Sequence, residues 1–282
     1  MRRTRSAVLA RPYWRVGNLA GAKFLRSKLF AFGMAGMLAA PVSAADFAEV
    51  WPGLVARIER AYVQGDGSEM SAVRTALKEL LDSGLTDDQR SIARYTVAYL
   101  NWRLSVLTDT VPDEELDALL DEAVDLLGKE LANNDANAEA HALLANVYGL
   151  QIGRSPLKGA FLGMRASRAS ARAMDLEPQN PRVLLLDGIG KLNTPRMFGG
   201  GEDRAEALLH RAVAAFGTEP PDRPWPRWGR IDAYAWLGQV AARRGDPDAA
   251  RRYYRQALEI EPGFGWVRGV LLPALEQGQR QR

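Results

Sequence analysis

Residues 231–264 read IDAYAWLGQVAARRGDPDAARRYYRQALEIEPGF, and this stretch decides the fold. It holds two helical patterns of small and apolar residues. The patterns are separated at Gly245 and Asp246, residue types that are common in tight turns. The stretch therefore predicts two helices that turn back and cross.

Small residues predict where these two helices cross. Gly238 and Ala250 have little or no side chain, so the helix backbones can approach closely there. Ala250 and Ala257 are seven residues apart, or two helical turns, and therefore share one inward face. Tyr254 fills the space beside them, and Pro262 ends the unit because the residue before a proline disfavours helix. One helix pair cannot bury its apolar face alone, so neighbouring pairs are required.

The same stretch resembles a tetratricopeptide repeat over its whole length. The signature positions of that family are filled by Tyr234, Leu237, Gly238, Ala241, Ala250, Tyr254, Ala257 and Pro262. The resemblance implies an all-α fold, a right-handed α-solenoid of stacked helix pairs. It also implies that the first helix of each pair lines a concave groove that binds a protein or peptide partner.

Related units with longer turns precede this repeat. Ala145 and Ala166 form the small pair of one unit, and Gly188 and Ala205 form that of the next. These pairs are 21 and 17 residues apart, against 12 in the last repeat, so both units carry insertions between their helices. We predict helix-pair repeats at 91–136, 137–179, 180–217 and 231–264, within a repeat region of 86–264.

Flanking helices complete the predicted all-α chain. Amphipathic helices are predicted within residues 45–85, and Thr86 with Gln89 forms a capping box before the first repeat. Residues 265–282 are predicted as a capping helix and tail, as an open stack of repeats requires. No segment sustains a period of two residues, so no strand is predicted.

The first 44 residues have the pattern of a signal peptide. Residues 1–28 hold eight lysines and arginines and no acid, and an apolar run follows at 29–44. Val42 and Ala44 stand three and one residues before the predicted cleavage between Ala44 and Ala45. We predict a periplasmic protein with no stable membrane span after cleavage. The alternative is an uncleaved N-terminal helix that anchors the protein.

Removal of this leader changes the sign of the net charge. The whole sequence has 37 lysines and arginines against 34 acids, a formal net charge of +3. Without the eight basic residues of the leader, 29 basic residues remain against 34 acids. Nucleic-acid binding is not predicted, because it requires a basic surface that neutralises phosphates.

Composition and motif spacing argue against an enzyme, a cofactor or a metal site. The chain has no cysteine and two histidines, too few for the usual zinc ligands. The glycines at 199–201 are followed by Glu202 and Asp203, acids that repel phosphate but suit a helix N-terminus. The SPLK sequence from Ser155 to Lys158 lacks the companion motifs of penicillin-binding enzymes. We therefore predict no catalytic, cofactor-binding or metal-binding residues.

Two surfaces are predicted to contact a partner. The resemblance places Thr96, Leu100, Arg103, Asn146, Leu150, Ile189, Asn193, Gln239 and Arg243 in the groove. This mixture of polar and apolar residues fits a peptide of undefined sequence. The two insertions supply further candidates, namely Phe161, Met164, Arg196, Phe198, Gly199, Gly200 and Gly201.

The segment EPPDRPWPRW at 219–228, the proline-rich linker, allows two interpretations. Aromatic and cationic residues in alternation could bind bases or a sugar ring. We favour a rigid linker whose tryptophans pack on adjacent helices.

These features predict an exported, non-catalytic tetratricopeptide-repeat protein that acts as an interaction scaffold in the cell envelope. The alternative is a small-molecule carrier that accompanies a solute-uptake system. Its apolar cavity would be lined by Phe161, Leu162, Met164, Met197 and Phe198. An enclosed apolar pocket would favour the carrier, and a shallow open groove would favour the scaffold.

Overall fold

The computed structural model describes residues 44–107 and 113–280, and the regular structure of these residues is helical. The α-helices are α1 Ala44–Gln64, α2 Gly67–Leu81, α3 Asp87–Leu107, α4 Asp113–Asn133, α5 Ala138–Arg154, α6 Gly159–Leu176, α7 Pro181–Asn193, α8 Glu202–Gly217, α9 Arg230–Arg243, α10 Pro247–Ile260 and α11 Leu272–Arg280. Short 3-10 turns at Pro156–Lys158 and Arg196–Phe198 and a π-helical turn at Val267–Leu271 join them. The predicted all-α fold is confirmed.

The predicted signal peptide at 1–44 lies outside the described residues, except for Ala44, at which α1 begins. No helix in the described part of the chain is both long and apolar enough to span a membrane.

Neighbouring helices pack as antiparallel pairs, and the pairs stack into a solenoid. α3 packs on α4, α5 on α6, α7 on α8, and α9 on α10. Asn180 Nδ2, just before α7, donates to Glu139 Oε1 at the start of α5 at 2.9 Å. Further along, Asn146 Nδ2 of α5 donates to the Leu186 carbonyl oxygen of α7 at 2.9 Å. The first helices α5 and α7 therefore run parallel and in register.

Short polar side chains begin several helices. Asn137 accepts a hydrogen bond from the Ala140 amide at the start of α5, and Asp246 accepts one from the Ala249 amide at the start of α10. The capping box before α3 is confirmed. The Thr86 amide donates to Gln89 Oε1 at 3.0 Å, and the Gln89 amide donates to Thr86 Oγ1 at 3.3 Å.

The two helices of the last repeat, α9 and α10, cross at the position that the small residues predict. A Cβ added at Gly238 would lie 2.2 Å from a ring carbon of Tyr254, so the ring occupies the space that a side chain would need. Ala250 and Ala257 are fully buried beside it. Gly188 has the same role in the preceding pair, where Leu209 lies against it.

The ends of the solenoid meet, which the expectation of an open stack did not include. The rings of Tyr62 in α1 and Phe264 after α10 lie 5.9 Å apart. A Cβ added at Gly265 would lie 2.5 Å from the Gln64 carbonyl oxygen, so the two backbones touch. Tyr62 Oη also donates to Asp232 Oδ2 in α9 at 2.5 Å. The ends meet because aromatic and charged side chains pack together at a joint, where an open stack would end in a solvent-facing helix.

A buried ion pair lies at the centre of this joint. Arg103 of α3 donates to Asp232 of α9 through both terminal nitrogens, at 3.1 and 2.5 Å. The two residues are 2% and 1% exposed. The guanidinium also lies over the rings of Tyr62 and Trp102, at 4.6 and 4.8 Å from their centroids. Burial, the largest single influence, lowers the pKa of Arg103, but attraction to Asp232, Tyr99 and Tyr62 and the hydrogen bond to Asp232 together outweigh burial and raise it.

We expect Arg103→Ala to lower the free energy of unfolding by about 3–5 kcal/mol, because it leaves the Asp232 carboxylate buried without its partner. Urea denaturation followed by circular dichroism measures this change. The matched control is Arg227→Ala, which removes an exposed ion pair with Glu59 that also involves α1. The free energy of unfolding of this control should fall by about 1 kcal/mol or less. Equal losses in the two variants would contradict the central role of the buried pair.

Candidate interaction surfaces

The inner face of the solenoid is partly filled by the chain itself. The proline-rich linker, residues 219–228, crosses this face between α8 and α9. Trp225 Nε1 donates to Thr96 Oγ1 of α3 at 3.0 Å. The Trp228 ring stacks on Tyr99 with centroids 4.8 Å apart. The interpretation of the linker as a segment whose tryptophans pack on adjacent helices is confirmed.

Charged groups fix the start of the linker. Arg223 Nη2 donates to Glu139 Oε1 at 3.0 Å, and Glu139 also accepts from Asn180. Arg182 is fully buried and donates to both oxygens of Glu219, each at 2.7 Å. Burial, the largest influence, lowers the pKa of Arg182. Because buried charges need partners, this network ties the linker to α5 and α7.

Five of the predicted groove residues are buried. Thr96 and Leu100 are 0% exposed, and Arg103 forms the buried ion pair described above. Asn146 and Ile189 are also buried, and Asn146 uses its amide to join α5 to α7. The physical reason is that the linker and α9 cover the part of the face to which α3 contributes. In this structure these residues form internal contacts.

The other predicted groove residues form what we call the open strip, namely Leu150, Asn193, Gln239 and Arg243. Asn193 and Arg243 are exposed, and Leu150 and Gln239 are half-buried. Arg243 donates to Asn193 Oδ1 at 2.8 Å, which joins the ends of α7 and α9. Gln239 donates to Tyr254 Oη at 3.0 Å. The open strip is thus the part of the predicted groove that solvent can reach.

The two insertions form what we call the loop edge, namely residues 155–164 and 194–201. Large apolar side chains of the loop edge are exposed: Leu157, Phe161, Met164, Met197 and Phe198. Leu162, expected to line a cavity with them, is instead buried in the core.

The three glycines build a closed turn rather than a phosphate cradle. The amides of Gly199, Gly200 and Gly201 donate to carbonyl oxygens of Arg196, Pro195 and Lys191, at 3.0, 3.2 and 2.8 Å. All three donors are therefore used within the turn. Gly199 and Gly201 have φ angles of +85° and +112°, which residues with a side chain rarely adopt.

Two clefts lie on the edge of the solenoid opposite to the loop edge, near the starts of α3, α5 and α7. The larger, about 740 Å³, separates the α6–α7 connection from the start of the linker and has Pro178, Pro220 and Arg223 in its walls. The smaller, about 210 Å³, shares Arg223 and reaches Tyr95. Neither is enclosed. Sequence reasoning missed this region, although charged residues at the starts of inward-facing helices, such as Glu139 and Arg182, were a signal for it.

Hydrogen bonds lower the pKa of each described carboxyl group whose pKa is displaced, which favours the ionised form. A hydrogen bond from Arg172 lowers the pKa of Asp135, and one from Arg154 lowers that of Asp117. For Glu122, hydrogen bonds from Lys78 and other residues outweigh burial and lower the pKa. Within the described residues, no group of three or more histidines and acids is arranged to hold a metal ion.

Comparisons with known proteins agree with this solenoid of helix pairs. The tetratricopeptide-repeat family model matches residues 231–264. The chain is similar to the HusA haemophore from Porphyromonas gingivalis, with a TM-score of 0.55 and 24% identity over 70% of this chain and 94% of that one. It is also similar to TTC0263, a thermophilic tetratricopeptide-repeat protein of Thermus thermophilus, with a TM-score of 0.57 and 18% identity over 79% and 98% of the two chains.

At these identities the two solved structures establish likeness of fold alone. No curated protein sequence matches this chain significantly. The fold class of this protein is therefore an α-solenoid. Residues 231–264 match the tetratricopeptide-repeat family, and the chain has a fold similar to that of a solved tetratricopeptide-repeat protein.

We expect Gly200→Ala to lower the free energy of unfolding by about 2 kcal/mol or more, because overpacking against a fixed backbone is costly. The added Cβ would lie 1.9 Å from the Thr194 carbonyl oxygen. The control is Gly190→Ala in α7, where nothing lies within 4 Å of an added Cβ. The control should be neutral or stabilising by up to about 1 kcal/mol, because alanine favours helix. Thermal and urea unfolding measure both, and equal stability of the two variants would contradict the closed turn.

Proposed function

We propose that the protein is an exported, non-catalytic scaffold of the cell envelope that binds a segment of a partner protein on the open strip. One observation carries this proposal. The inner face already binds an extended, proline-rich segment of its own chain, through Trp225 on Thr96 and Arg223 on Glu139.

The contacts of the linker indicate what kind of partner the inner face accepts. They combine aromatic packing, a side-chain hydrogen bond and a charge pair, and all of these are available to an extended peptide. The open strip continues the same face beyond the linker with an amide, a guanidinium and an apolar side chain. A second extended segment would therefore find the same chemistry there. Export to the periplasm is supported by the basic and apolar pattern of residues 1–44.

The open strip is tested by site-specific photo-crosslinking in the native host. A benzoylphenylalanine at position 193 or 239 should give a discrete crosslinked product with one partner. The same group in place of Glu259, exposed on the outer side of α10, should not. Asn193→Lys combined with Gln239→Lys should weaken binding of the identified partner by about tenfold or more, because two central contacts are lost.

The matched control for that double variant is Gln256→Lys with Glu259→Gln on α10, which adds the same positive charge at two exposed residues away from the inner face. It should leave the affinity unchanged. Crosslinks that appear equally at position 259, or a partner that the double variant binds with undiminished affinity, would overturn the assignment of the open strip.

A second candidate is a carrier of a small apolar ligand, such as haem. The observation that favours it is the similarity to a haemophore that covers 94% of that chain. The exposed side chains of Met164 and Met197 are possible ligands for a haem iron. The clefts described above offer no enclosed pocket for such a ligand, so the carrier is second to the scaffold.

Titration with haem tests the carrier. We expect a saturable change of the haem absorbance at one equivalent if the protein is a carrier. Met164→Ala with Met197→Ala should then weaken binding about tenfold or more, the loss of roughly 1.4 kcal/mol. Ile260→Ala, which removes an exposed apolar side chain from α10, is the control. A change that never saturates would exclude specific haem binding.

A further inference from the structure

The loop edge is a single surface along one edge of the solenoid, at the ends of α5 and α7. Its two parts follow α5 and α7, which run parallel and in register, as the Glu139–Asn180 and Asn146–Leu186 hydrogen bonds establish. Beyond Asn146 and Leu186 the two helices continue for eight and seven residues, to Arg154 and Asn193. Both insertions therefore leave their helices at the same level and on neighbouring pairs.

The apolar side chains of the loop edge protrude rather than line a cavity. Leu157 is 96% exposed, Met197 is 81% exposed and Phe198 is 72% exposed. Phe161 and Met164 follow on the first turns of α6, with more than half of each residue exposed. The clefts of about 740 and 210 Å³ lie on the opposite edge of the solenoid. We call these five protruding side chains the apolar tips; exposed apolar groups of this kind mark surfaces that bind a protein or a membrane.

Lysine and arginine side chains lie near the apolar tips. Residues 151–174 contain five lysines and arginines and no acid. Arg154 pairs with Asp117 beside the first insertion, and Arg172 pairs with Asp135. Arg165 and Arg168 are exposed and form no ion pair with a described residue, and Arg165 lies over the Phe161 ring at 4.1 Å.

The second insertion adds a further cation. Arg196 is exposed and pairs with Glu202 at 2.9 Å, and Asp203 in the next position pairs with Arg244 at 2.5 Å. The acids at the start of α8 are thus matched by arginines. The excess positive charge at the loop edge and on the adjoining turn of α6 comes from Lys158, Arg165 and Arg168.

We propose that the loop edge docks the protein on a membrane surface that contains anionic lipids. Apolar tips enter the boundary between headgroups and acyl chains, while neighbouring arginines keep their charged ends at the phosphates. Basic residues near such a surface are attracted to its negative potential. A protein partner would need pockets for five separate tips, whereas a lipid surface accepts them at any spacing. The open strip is a different set of residues, so this inference does not rest on the scaffold proposal.

The test uses the full chain, which has no cysteine of its own. Met164→Cys and Met197→Cys each carry an environment-sensitive nitrobenzoxadiazole label at the loop edge. Glu259→Cys carries the label on the outer side of α10 as the control. Each protein is mixed with vesicles of phosphatidylcholine alone, or of phosphatidylcholine and phosphatidylglycerol in equal amounts.

We expect the emission at positions 164 and 197 to shift to the blue with the phosphatidylglycerol vesicles and to remain unchanged at position 259. Arg165→Gln with Arg168→Gln should weaken vesicle partitioning, read from the label at position 164, by about 30-fold, since each basic residue near the surface contributes roughly 1 kcal/mol. Arg252→Gln with Arg255→Gln removes the same charge from α10 and should have little effect.

Three results would overturn the proposal. Vesicle binding without a label shift would mean that another segment, such as residues 1–43, attaches the protein. A label shift that grows with protein concentration in the absence of vesicles would make the loop edge an interface between two copies of this chain. Equal partitioning into both kinds of vesicle would mean that the arginines do not contribute to membrane binding.

Discussion

The shape of this protein depends on the ion pair between Arg103 and Asp232. These residues are 129 positions apart in sequence, and both are almost completely buried. Removing two charges from water costs several kcal/mol for each, so the pair forms only where geometry and neighbours compensate. Compensation comes from two hydrogen bonds, from the Tyr62 hydroxyl and from aromatic rings over the guanidinium. Burial also raises the pKa of Tyr99, which contacts the same guanidinium, to about 12, and so keeps its hydroxyl neutral.

This joint determines which parts of the inner face remain open. In a solenoid with separate ends the first helices line a continuous groove. Here α1 and α9 approach α3, and the proline-rich linker fills the space between them. Partner binding is thereby restricted to the open strip, near the ends of α5, α7 and α9. The loop edge lies at that same end of the first helices, and the clefts lie at the other end.

Structural features that depend on the spacing of residues within one repeat could be predicted from the sequence. Helix positions, the Thr86 capping box and the packing of Tyr254 on Gly238 all follow from residues within one repeat. The resemblance placed Thr96 and Arg103 in the groove, and the structure shows both as buried residues of α3. What covers them could not be predicted, since it depends on contacts more than a hundred residues apart. The linker composition indicated a packing role, but not the helices on which it packs.

The contact between the two ends also fixes the number of repeats. Open solenoids tolerate the gain or loss of a unit, because each unit contacts only its neighbours. In this protein a unit added or removed between α3 and α9 would displace Asp232 from Arg103 and Phe264 from Tyr62. Duplication of a repeat unit is therefore incompatible with this architecture as long as the joint is kept. Variation is left to the turns between helices, and the two longest described turns between paired helices form the loop edge.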